Sequence, residues 1–144
     1  MSDTRDVYIV GAGGFGVEVL QYALDAASAG WDFCVAGFLD DGLAVGTNVP
    51  GGHEVVGRAD DLERLGGNII VATGDPAVRA RVASDVARAG GRLVTLVHPA
   101  AYVAPSAEIG DGCILCPFVL VGVDSRVGTN VAMNVYASVG HHAT

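Results

Sequence analysis

Basic residues are scarce in this sequence of 144 amino acids. Only 8 residues are lysine or arginine against 16 aspartates and glutamates, so the formal net charge at pH 7 is -8. Non-specific binding to nucleic acid or to an anionic membrane depends on positive side chains that neutralise phosphates. We therefore expect neither nucleic acid nor a membrane as a partner.

Long apolar runs and cysteines are also scarce. No apolar run has transmembrane length, and the segment from Met1 to Asp6 lacks the features of a signal peptide. The 3 cysteines are an odd number, which favours a reducing compartment over a disulfide framework. Cys113 and Cys116 form a CxxC with no second pair at metal spacing. The sequence therefore predicts a cytoplasmic protein without a metal site.

The last third of the sequence is a strict six-residue repeat. From Val97 to Thr144 it reads VHPAAY, VAPSAE, IGDGCI, LCPFVL, VGVDSR, VGTNVA, MNVYAS, VGHHAT. The first position of each six is aliphatic, and the fifth is small or β-branched. This period is typical of a parallel β-helix, in which the first-position side chains stack and glycine, Asn or Asp serves the corners. The alternative is a β-sandwich of short strands, although hairpin alternation does not produce a six-residue register.

Residues 7–16 contain the first motif that indicates chemistry. They read VYIVGAGGFG, a short apolar run followed by GxGxxG at Gly11, Gly13 and Gly16. The run predicts a buried parallel strand, and the helix predicted after it ends at Gly30. The apolar stripe of that helix consists of Val17, Leu20 and Leu24. A glycine turn at a helix N-terminus offers free N–H groups and the positive end of the dipole, so it predicts an anion site. A tight strand–helix turn without a ligand is the alternative.

Two aspartates follow the predicted second strand. Val35 to Leu39 is that strand, and Asp40 and Asp41 come directly after it, where dinucleotide folds carry an acid for the ribose. Only about ninety residues precede the repeat, about half of a full dinucleotide-binding sheet. A mononucleotide therefore fits better than a dinucleotide. Both carboxylates are candidates for binding a ribose or a base, and a solvated acidic turn is the alternative.

The segment between the second strand and the repeat alternates loops, strands and helices. Residues 42–57 are rich in Gly, Pro and Asn and predict a loop with a solvated His53. A strand is predicted over 68–73, and Asp75 caps a helix that opens with a proline. A last strand is predicted over 92–97. The apolar stripe of the helix that Asp75 caps consists of Val78, Val82 and Val86. Arg79, Arg81 and Arg88 lie off that stripe and are predicted to face solvent, and Arg79, in the first turn, could reach a phosphate.

Several motifs occur in one order along the chain. They are GAGGFG at 11–16, GFLDD at 37–41, ATGDPAVR at 72–79, TLVHPAA at 95–101, and a six-residue repeat that ends in NVYASVGH. In this the sequence resembles the bacterial sugar O- and N-acetyltransferases, of the sialic acid O-acetyltransferase and UDP-4-amino-sugar N-acetyltransferase type. These are hexapeptide-repeat acyltransferases, and the resemblance covers essentially all 144 residues.

The resemblance implies an α/β plus β architecture. Residues 1–96 would form a small Rossmann-like parallel-sheet domain that binds a sugar nucleotide, with a UDP-sugar expected. Residues 97–144 would form an incomplete left-handed parallel β-helix that assembles as a homotrimer. Acetyl-CoA would be held in the groove between the β-helices of neighbouring subunits. The substrate-binding residues implied are Gly11, Gly13, Gly14, Phe15, Gly16, Asp40, Asp41 and Gly74.

The catalytic histidine of the family matches His141. Acetyl transfer from a thioester needs an amine or hydroxyl that loses its proton as it attacks, and a neutral imidazole is suited to accept that proton. A solvent-exposed histidine pair near the chain end is the alternative. The next residue, His142, departs from the family, which often places an acid there to orient the base, so its role stays open.

The resemblance implies an acetyl-CoA-dependent acetyltransferase acting on an amino or hydroxyl group of a sugar. Members of the family continue for several more coils, so we expect a shortened chain that binds its sugar nucleotide and transfers acetyl groups poorly or not at all. Two other functions stay open. One is a non-catalytic nucleotide-binding module that uses the β-helix for oligomerisation. The other is an NAD-linked oxidoreductase, which the short sheet disfavours.

Overall fold

The computed structural model of the protein describes residues 5–144. The first part is a sheet with helices packed against it. Its strands are β1 Asp6–Val10, β2 Cys34–Leu39, β3 Asn48–Val49, β4 His53–Gly57, β5 Asn68–Val71 and β6 Arg92–Leu93. Its helices are α1 Gly14–Ser28, α2 Leu62–Leu65 and α3 Pro76–Arg88, with a 3-10 turn at Ala59–Asp61. The strand order is β3-β4-β2-β1-β5-β6, parallel throughout except for the antiparallel β3–β4 pair. The predicted parallel α/β sheet is confirmed.

Helix α1 packs on the sheet through small residues as much as through large ones. Its buried side is made of Gly16, Val19, Leu20, Ala23 and Ala26, which follow the three- and four-residue spacing of one helical face. The apolar stripe predicted from Val17, Leu20 and Leu24 is therefore wrong at Leu24, which is 37% exposed.

Helix α3 begins as the sequence predicts. The Asp75 carboxylate accepts hydrogen bonds from the backbone N–H groups of Ala77 and Val78, at 2.8 and 3.1 Å, and Pro76 occupies the first turn. Such a cap satisfies N–H groups that have no partner within the helix, and the fixed φ of proline suits the first turn. The side chains of Val82 and Val86, both on this helix, are buried.

The loop predicted over 42–57 is wrong, because this segment contains β3 and β4. Gly51 and Gly52 both have positive φ and reverse the chain between the two strands, and the second strand then pairs with β2. His53 is only half-exposed, and its Nε2 lies 3.1 Å from the carbonyl oxygen of Val35. The prediction of a solvated His53 is therefore wrong as well.

The rest of the chain forms three small parallel sheets. Their strands are β7 Leu96–Val97, β8 Tyr102–Val103, β9 Glu108–Ile109, β10 Ile114–Leu115, β11 Leu120–Val121, β12 Arg126–Val127, β13 Ala132–Met133 and β14 Ser138–Val139. The sheet orders are β13-β10-β7, β14-β11-β8 and β12-β9. Val97, Leu115 and Met133 are aligned in one sheet, so successive strands of a sheet are three sixes apart in sequence. The predicted alignment of the first-position side chains is confirmed.

The single strand predicted over 92–97 is divided in the structure. Arg92–Leu93 extends the large sheet, whereas Leu96–Val97 belongs to a small one. The two strands are only two residues apart, and one buried apolar cluster continues from the large sheet into the small sheets. The glycine turn and the repeat are therefore held against each other by a shared core.

From the third six onward, each corner of the repeat has a left-handed residue at the fourth position, the first of them being Gly112. Phe118, Asp124, Asn130, Tyr136 and His142 all occupy this position, with φ between 54° and 66°. Left-handed backbone strains residues with a Cβ, least so for Asn, Asp and His. Gly110, at the second position of its six, is a glycine for a different reason. A Cβ on this residue would lie 2.7 Å from the backbone of Gly128 in the next coil.

Interior packing follows the fifth position of the six. Cys113, Val119 and Ser125 are almost fully buried there, in the middle of the stack. The Cys113 thiol donates a hydrogen bond to the carbonyl of Gly128 at 3.0 Å. This cysteine is a packing residue, in keeping with its place in the repeat.

The prediction that Arg79 faces solvent is wrong. This side chain is 4% exposed and lies between α3 and the small sheets. Its guanidinium donates to the backbone carbonyls of Val71, Thr73, Gly112 and Asn130. Five N–H donors in a fixed plane make arginine able to satisfy several carbonyls at once. Arg79 therefore joins the sheet to the repeat.

Candidate functional site

The glycine turn after β1 allows no side chain at two of its positions. Gly11 has a φ of +102°, and a Cβ on it would lie 2.7 Å from the carbonyl oxygen of Ala72. A Cβ on Gly16 would lie 1.9 Å from the carbonyl oxygen of Gly11. These contacts hold α1 close against the end of β1, and Gly13, the N-cap residue, has no side chain to cap the helix. The first-turn N–H groups, which have no partner within the helix, are thus left for a ligand or solvent.

The carboxylate of Asp40 braces this turn. One oxygen accepts a hydrogen bond from the N–H of Ala12 at 2.9 Å, and the other accepts from the N–H of Gly42 at 2.8 Å. Asp41 accepts from the N–H of Ala59 at 2.9 Å. Each aspartate therefore holds a loop at the carboxyl edge of the sheet, where parallel α/β folds bind ligands.

Three of the predicted substrate residues meet at one cleft between the two parts of the chain. The cleft has a volume of about 490 Å³ and is lined by Gly14, Phe15, Glu18, Gly74, Ala132 and Asn134. The glycine turn and α1 form one wall, and the repeat forms the other. A neighbouring cleft of about 390 Å³ shares Gly74 and Ala132 with it and extends to Arg79 and Asn130.

The other predicted residues lie elsewhere. Gly11, Asp40 and Asp41 line a separate cleft of about 340 Å³, together with Asp60, Asp85, Arg81 and apolar residues of α3. Gly13 lines none of these three clefts, nor does Gly16, which is buried. Of the eight predicted residues, three thus line one cleft, three line another, and two line neither.

Sequence reasoning missed Glu18 and Asn134, which line the larger cleft. Glu18 is one helical turn after Gly14, so the spacing of i and i+4 on a helix face would have indicated it. Asn134 comes from the repeat, and no local pattern relates it to the glycine turn.

On the side of α1, the larger cleft is lined by the acidic residue Glu18, whose charge acts on neighbouring groups. Burial, followed by the charge of Glu18, raises the pKa of the Cys116 thiol to about 11. The same two causes, in the same order, raise the pKa of Tyr22. Cys116 is therefore a neutral packing thiol at physiological pH and is not a nucleophile.

His98 ties α1 to the start of the repeat. Its Nδ1 accepts a hydrogen bond from the N–H of Ala100 at 2.9 Å, so its Nε2 carries the proton and donates to Asp25 at 2.9 Å. That hydrogen bond is the main cause that lowers the pKa of Asp25, followed by the one from Gln21. The helix that begins at the glycine turn is thus anchored near its other end.

His141 lies at the last corner of the repeat, is exposed, and lines none of the three clefts. Its Nδ1 is 2.9 Å from Nδ1 of His142, and the two rings are nearly perpendicular at 86°. Nε2 of His142 is 3.4 Å from a carboxylate oxygen of Asp124. The exposed imidazole of His141 is thus in contact with the imidazole of His142, which in turn lies near the carboxylate of Asp124.

Among the described residues 5–144, no group of three or more His, Cys, Asp or Glu side chains is arranged to hold a metal ion. Nor does that part of the chain contain a helix with the length and apolar character needed to cross a membrane.

Comparison with known proteins identifies relatives of both parts. Residues 6–86 match the family of the PglD N-terminal domain. GDP-perosamine N-acetyltransferase of Escherichia coli O157:H7 is 31% identical, with 92% of this chain and 61% of the relative covered. UDP-N-acetylbacillosamine N-acetyltransferase of Bacillus subtilis strain 168 is 32% identical, with 77% of this chain and 51% of the relative covered. The chain thus spans about half to three-fifths of the length of these two relatives.

A solved structure shows the same fold. The acetyltransferase domain of PglB from Neisseria gonorrhoeae FA1090, in complex with acetyl coenzyme A, superposes with a TM-score of 0.82 at 29% sequence identity. The match covers 96% of this chain and 65% of that chain. The resemblance predicted from the motifs is confirmed: the chain belongs to the family of the PglD N-terminal domain and, with it, to the bacterial sugar acetyltransferases.

Proposed function

We propose that this protein transfers an acetyl group from acetyl-CoA to an amine or hydroxyl of a nucleotide-linked sugar. The observation that carries the proposal is the cleft of about 490 Å³ between the glycine turn and the repeat. Gly14, Phe15 and Gly74, all predicted to bind substrate, meet there in a chain whose relatives include sugar N-acetyltransferases.

The architecture proposed for this function has two domains. Residues 1–96 are the Rossmann-like nucleotide-binding domain, and residues 97–144 are a left-handed parallel β-helix built from hexapeptide repeats. Support comes from the three small sheets, whose strands recur every third six, and from the left-handed residue at the fourth position of the third to eighth sixes.

The glycine turn is the proposed phosphate site. The uncapped N-terminus of α1 directs backbone N–H groups and the positive end of its dipole toward an anion. Gly11, Gly13 and Gly16 are proposed to let the backbone approach the phosphates of the sugar nucleotide. The carboxylates of Asp40 and Asp41 retain lone pairs that can accept hydrogen bonds from its ribose or base. The two relatives are named for a GDP-sugar and a UDP-sugar. The UDP-sugar predicted from the sequence is therefore one of two candidates.

His141 is the proposed general base. The sugar nitrogen or oxygen attacks the thioester carbonyl of acetyl-CoA, and Nε2 of His141 takes the proton that the nucleophile loses. The tetrahedral intermediate then collapses with cleavage of the carbon–sulfur bond, and the CoA thiolate leaves and is protonated. The products are the acetylated sugar and free CoA.

A homotrimer is part of the proposal, with acetyl-CoA in the groove between neighbouring repeats. His141 lines none of the three clefts of a single chain, which supports a site completed between copies. The exposed apolar side chains Tyr102, Phe118, Leu120 and Tyr136 on the repeat are in keeping with such an assembly. The cytoplasmic location stays a prediction.

The experiment combines ligand binding with turnover. Thermal melts are recorded with UDP, GDP, CMP, a UDP-amino sugar, NADH and acetyl-CoA. A ligand at a hundred times its dissociation constant adds about 2.7 kcal/mol. At about 2–4 °C per kcal/mol for a chain of this size, the melting temperature rises by about 5–11 °C. Acetylated sugar is then measured by mass spectrometry with the nucleotide sugars that bind, using the wild-type protein and His141→Asn.

The expected result is stabilisation by a nucleoside diphosphate or its sugar, together with slow acetyl transfer that His141→Asn loses. Nucleotide binding without transfer supports the second candidate function instead, a non-catalytic nucleotide-binding module that uses the repeat for oligomerisation. Stabilisation by NADH alone would refute both.

A further inference from the structure

His142 and Asp124 occupy equivalent corners in successive coils of the repeat. The strands before them pair in register, with Val121 opposite Val139, and the N–H of His142 donates to the carbonyl of Val123 at 2.9 Å. Both residues have positive φ, 57° and 54°, so both side chains leave the backbone in the same way. The stacking of coils therefore places the imidazole of His142 beside the carboxylate of Asp124.

The coil below holds Asp124 in turn. Ser106 is the fourth residue of its own six, and its hydroxyl accepts a hydrogen bond from the N–H of Asp124 at 3.0 Å. Three corner residues from three successive coils thus stand in one column, with His142 at its end.

The contacts in this column favour one arrangement of the ring protons when both rings are neutral. Nε2 of His142 lies 3.4 Å from the Asp124 carboxylate, within ion-pair distance. Because a carboxylate only accepts, this contact favours the tautomer of His142 with the hydrogen on Nε2 and the lone pair on Nδ1. Nδ1 of His141 is 2.9 Å from that lone pair and must be the donor. The remaining nitrogen of His141, Nε2, is then an exposed acceptor.

We infer that Asp124 and His142 are positioning residues that set the tautomer and ring orientation of His141. The catalytic consequence rests on the proposed function, in which Nε2 of His141 accepts the proton of the attacking amine or hydroxyl. Once protonated, His141 still donates from Nδ1 to His142, and the Asp124 carboxylate stabilises the new charge through His142. No proton has to move along the column.

The first test reads the tautomers and needs no turnover. Long-range ¹H–¹⁵N spectra of the full chain are recorded at a pH where both rings are neutral. His141 is expected with its proton on Nδ1, and His142 with its proton on Nε2. In Asp124→Asn the amide both donates and accepts, so the preference of His142, and with it that of His141, is lost. Asparagine tolerates the left-handed corner, so the variant keeps the turn.

Glu108→Gln is the matched control for these spectra. It removes another exposed carboxylate of the repeat, one that pairs with Arg126 in the next coil, and is expected to leave both tautomers unchanged. The inference is overturned if wild-type His141 carries its proton on Nε2, or if Asp124→Asn leaves both rings as they were.

The second test separates positioning from binding. Asp124→Asn and His142→Asn are expected to lower kcat for acetyl transfer by about 10-fold to 100-fold, with KM for the nucleotide sugar unchanged. His142→Glu is expected to recover most of kcat, since its carboxylate accepts directly from Nδ1 of His141. Glu108→Gln keeps the wild-type kcat.

The outcomes distinguish the two proposals. An active wild type whose kcat is indifferent to Asp124→Asn refutes the positioning role. The expected tautomers in a chain that transfers no acetyl group support the column and refute the proposed function.

Discussion

Arg79 and Asn130 bind each other in both directions across the junction between α3 and the repeat. The guanidinium of Arg79 donates to the side-chain oxygen of Asn130 at 2.9 Å, and the Asn130 amide donates to the Arg79 carbonyl at 2.9 Å. Asn130 has the left-handed backbone of a repeat corner, a conformation that asparagine tolerates better than most residues. Burial lowers the pKa of Arg79, but an arginine remains charged in proteins.

Arg79→Lys is expected to destabilise the protein by at least about 3 kcal/mol. An ammonium lacks the planar fork that satisfies carbonyls of both the sheet and the repeat, and buried carbonyls without partners cost about 1–3 kcal/mol each. Denaturant-induced unfolding measures the loss. Arg81→Lys, on the exposed side of the same helix, is the control and is expected to stay within about 0.5 kcal/mol of wild type. Equal stabilities of the two variants would contradict the role of Arg79.

Gly16→Ala is expected to cost about 3 kcal/mol or more, because its Cβ would lie 1.9 Å from a backbone oxygen of Gly11. Gly14→Ala is the control in the same turn. A Cβ on Gly14 meets nothing within 4 Å, so this change stays within about 1 kcal/mol of wild type. Thermal melts of both variants suffice. A stable Gly16→Ala protein would show that α1 does not need its close approach to β1.

Asp25→Asn is expected to show a stability difference that depends on pH. The His98 hydrogen bond lowers the folded-state pKa of Asp25 below the ordinary value of 3.8. Its stabilisation is therefore present above that value and is lost as the pH falls through the folded-state pKa. The melting temperature of the wild type should exceed that of Asp25→Asn at neutral pH. The difference between the two melting temperatures should disappear below about pH 3.8. Asp32→Asn, which removes another exposed carboxylate, corrects for the change in net charge. A gap that stays constant with pH would contradict this account.

The three thiols are expected to differ in reactivity. Cys34 is exposed, whereas Cys113 and Cys116 are buried and burial raises the pKa of both. Only the thiolate reacts. Ellman's reagent should therefore titrate one thiol in the folded protein and all three after denaturation, and Cys34→Ser should lose the fast reaction. A second fast thiol in the folded protein would show that the repeat interior opens.

Local patterns predicted much of the fold because their causes are local. The six-residue period aligns Val97 with Leu115, and the cap at Asp75 involves N–H groups only two and three residues away. Even there the pattern did not indicate which position of the six takes the left-handed backbone, since that depends on how one coil follows another.

Distant partners explain what could not be predicted. Arg79 looked like a solvent-facing arginine because the carbonyls of Gly112 and Asn130 that bury it come from the repeat. His53 looked solvated because the strand that covers it, β2, precedes it in the sequence.

The sequence by itself determined the family, the glycine turn, the register of the repeat and the choice of His141 as the candidate base. Only the tertiary structure decided that Gly14, Phe15 and Gly74 face the same cleft as Asn134, and that His142 stands over Asp124. The physical reason is that a motif constrains neighbours along the chain, whereas these contacts arise from the packing of one coil on the next and of the repeat on the sheet.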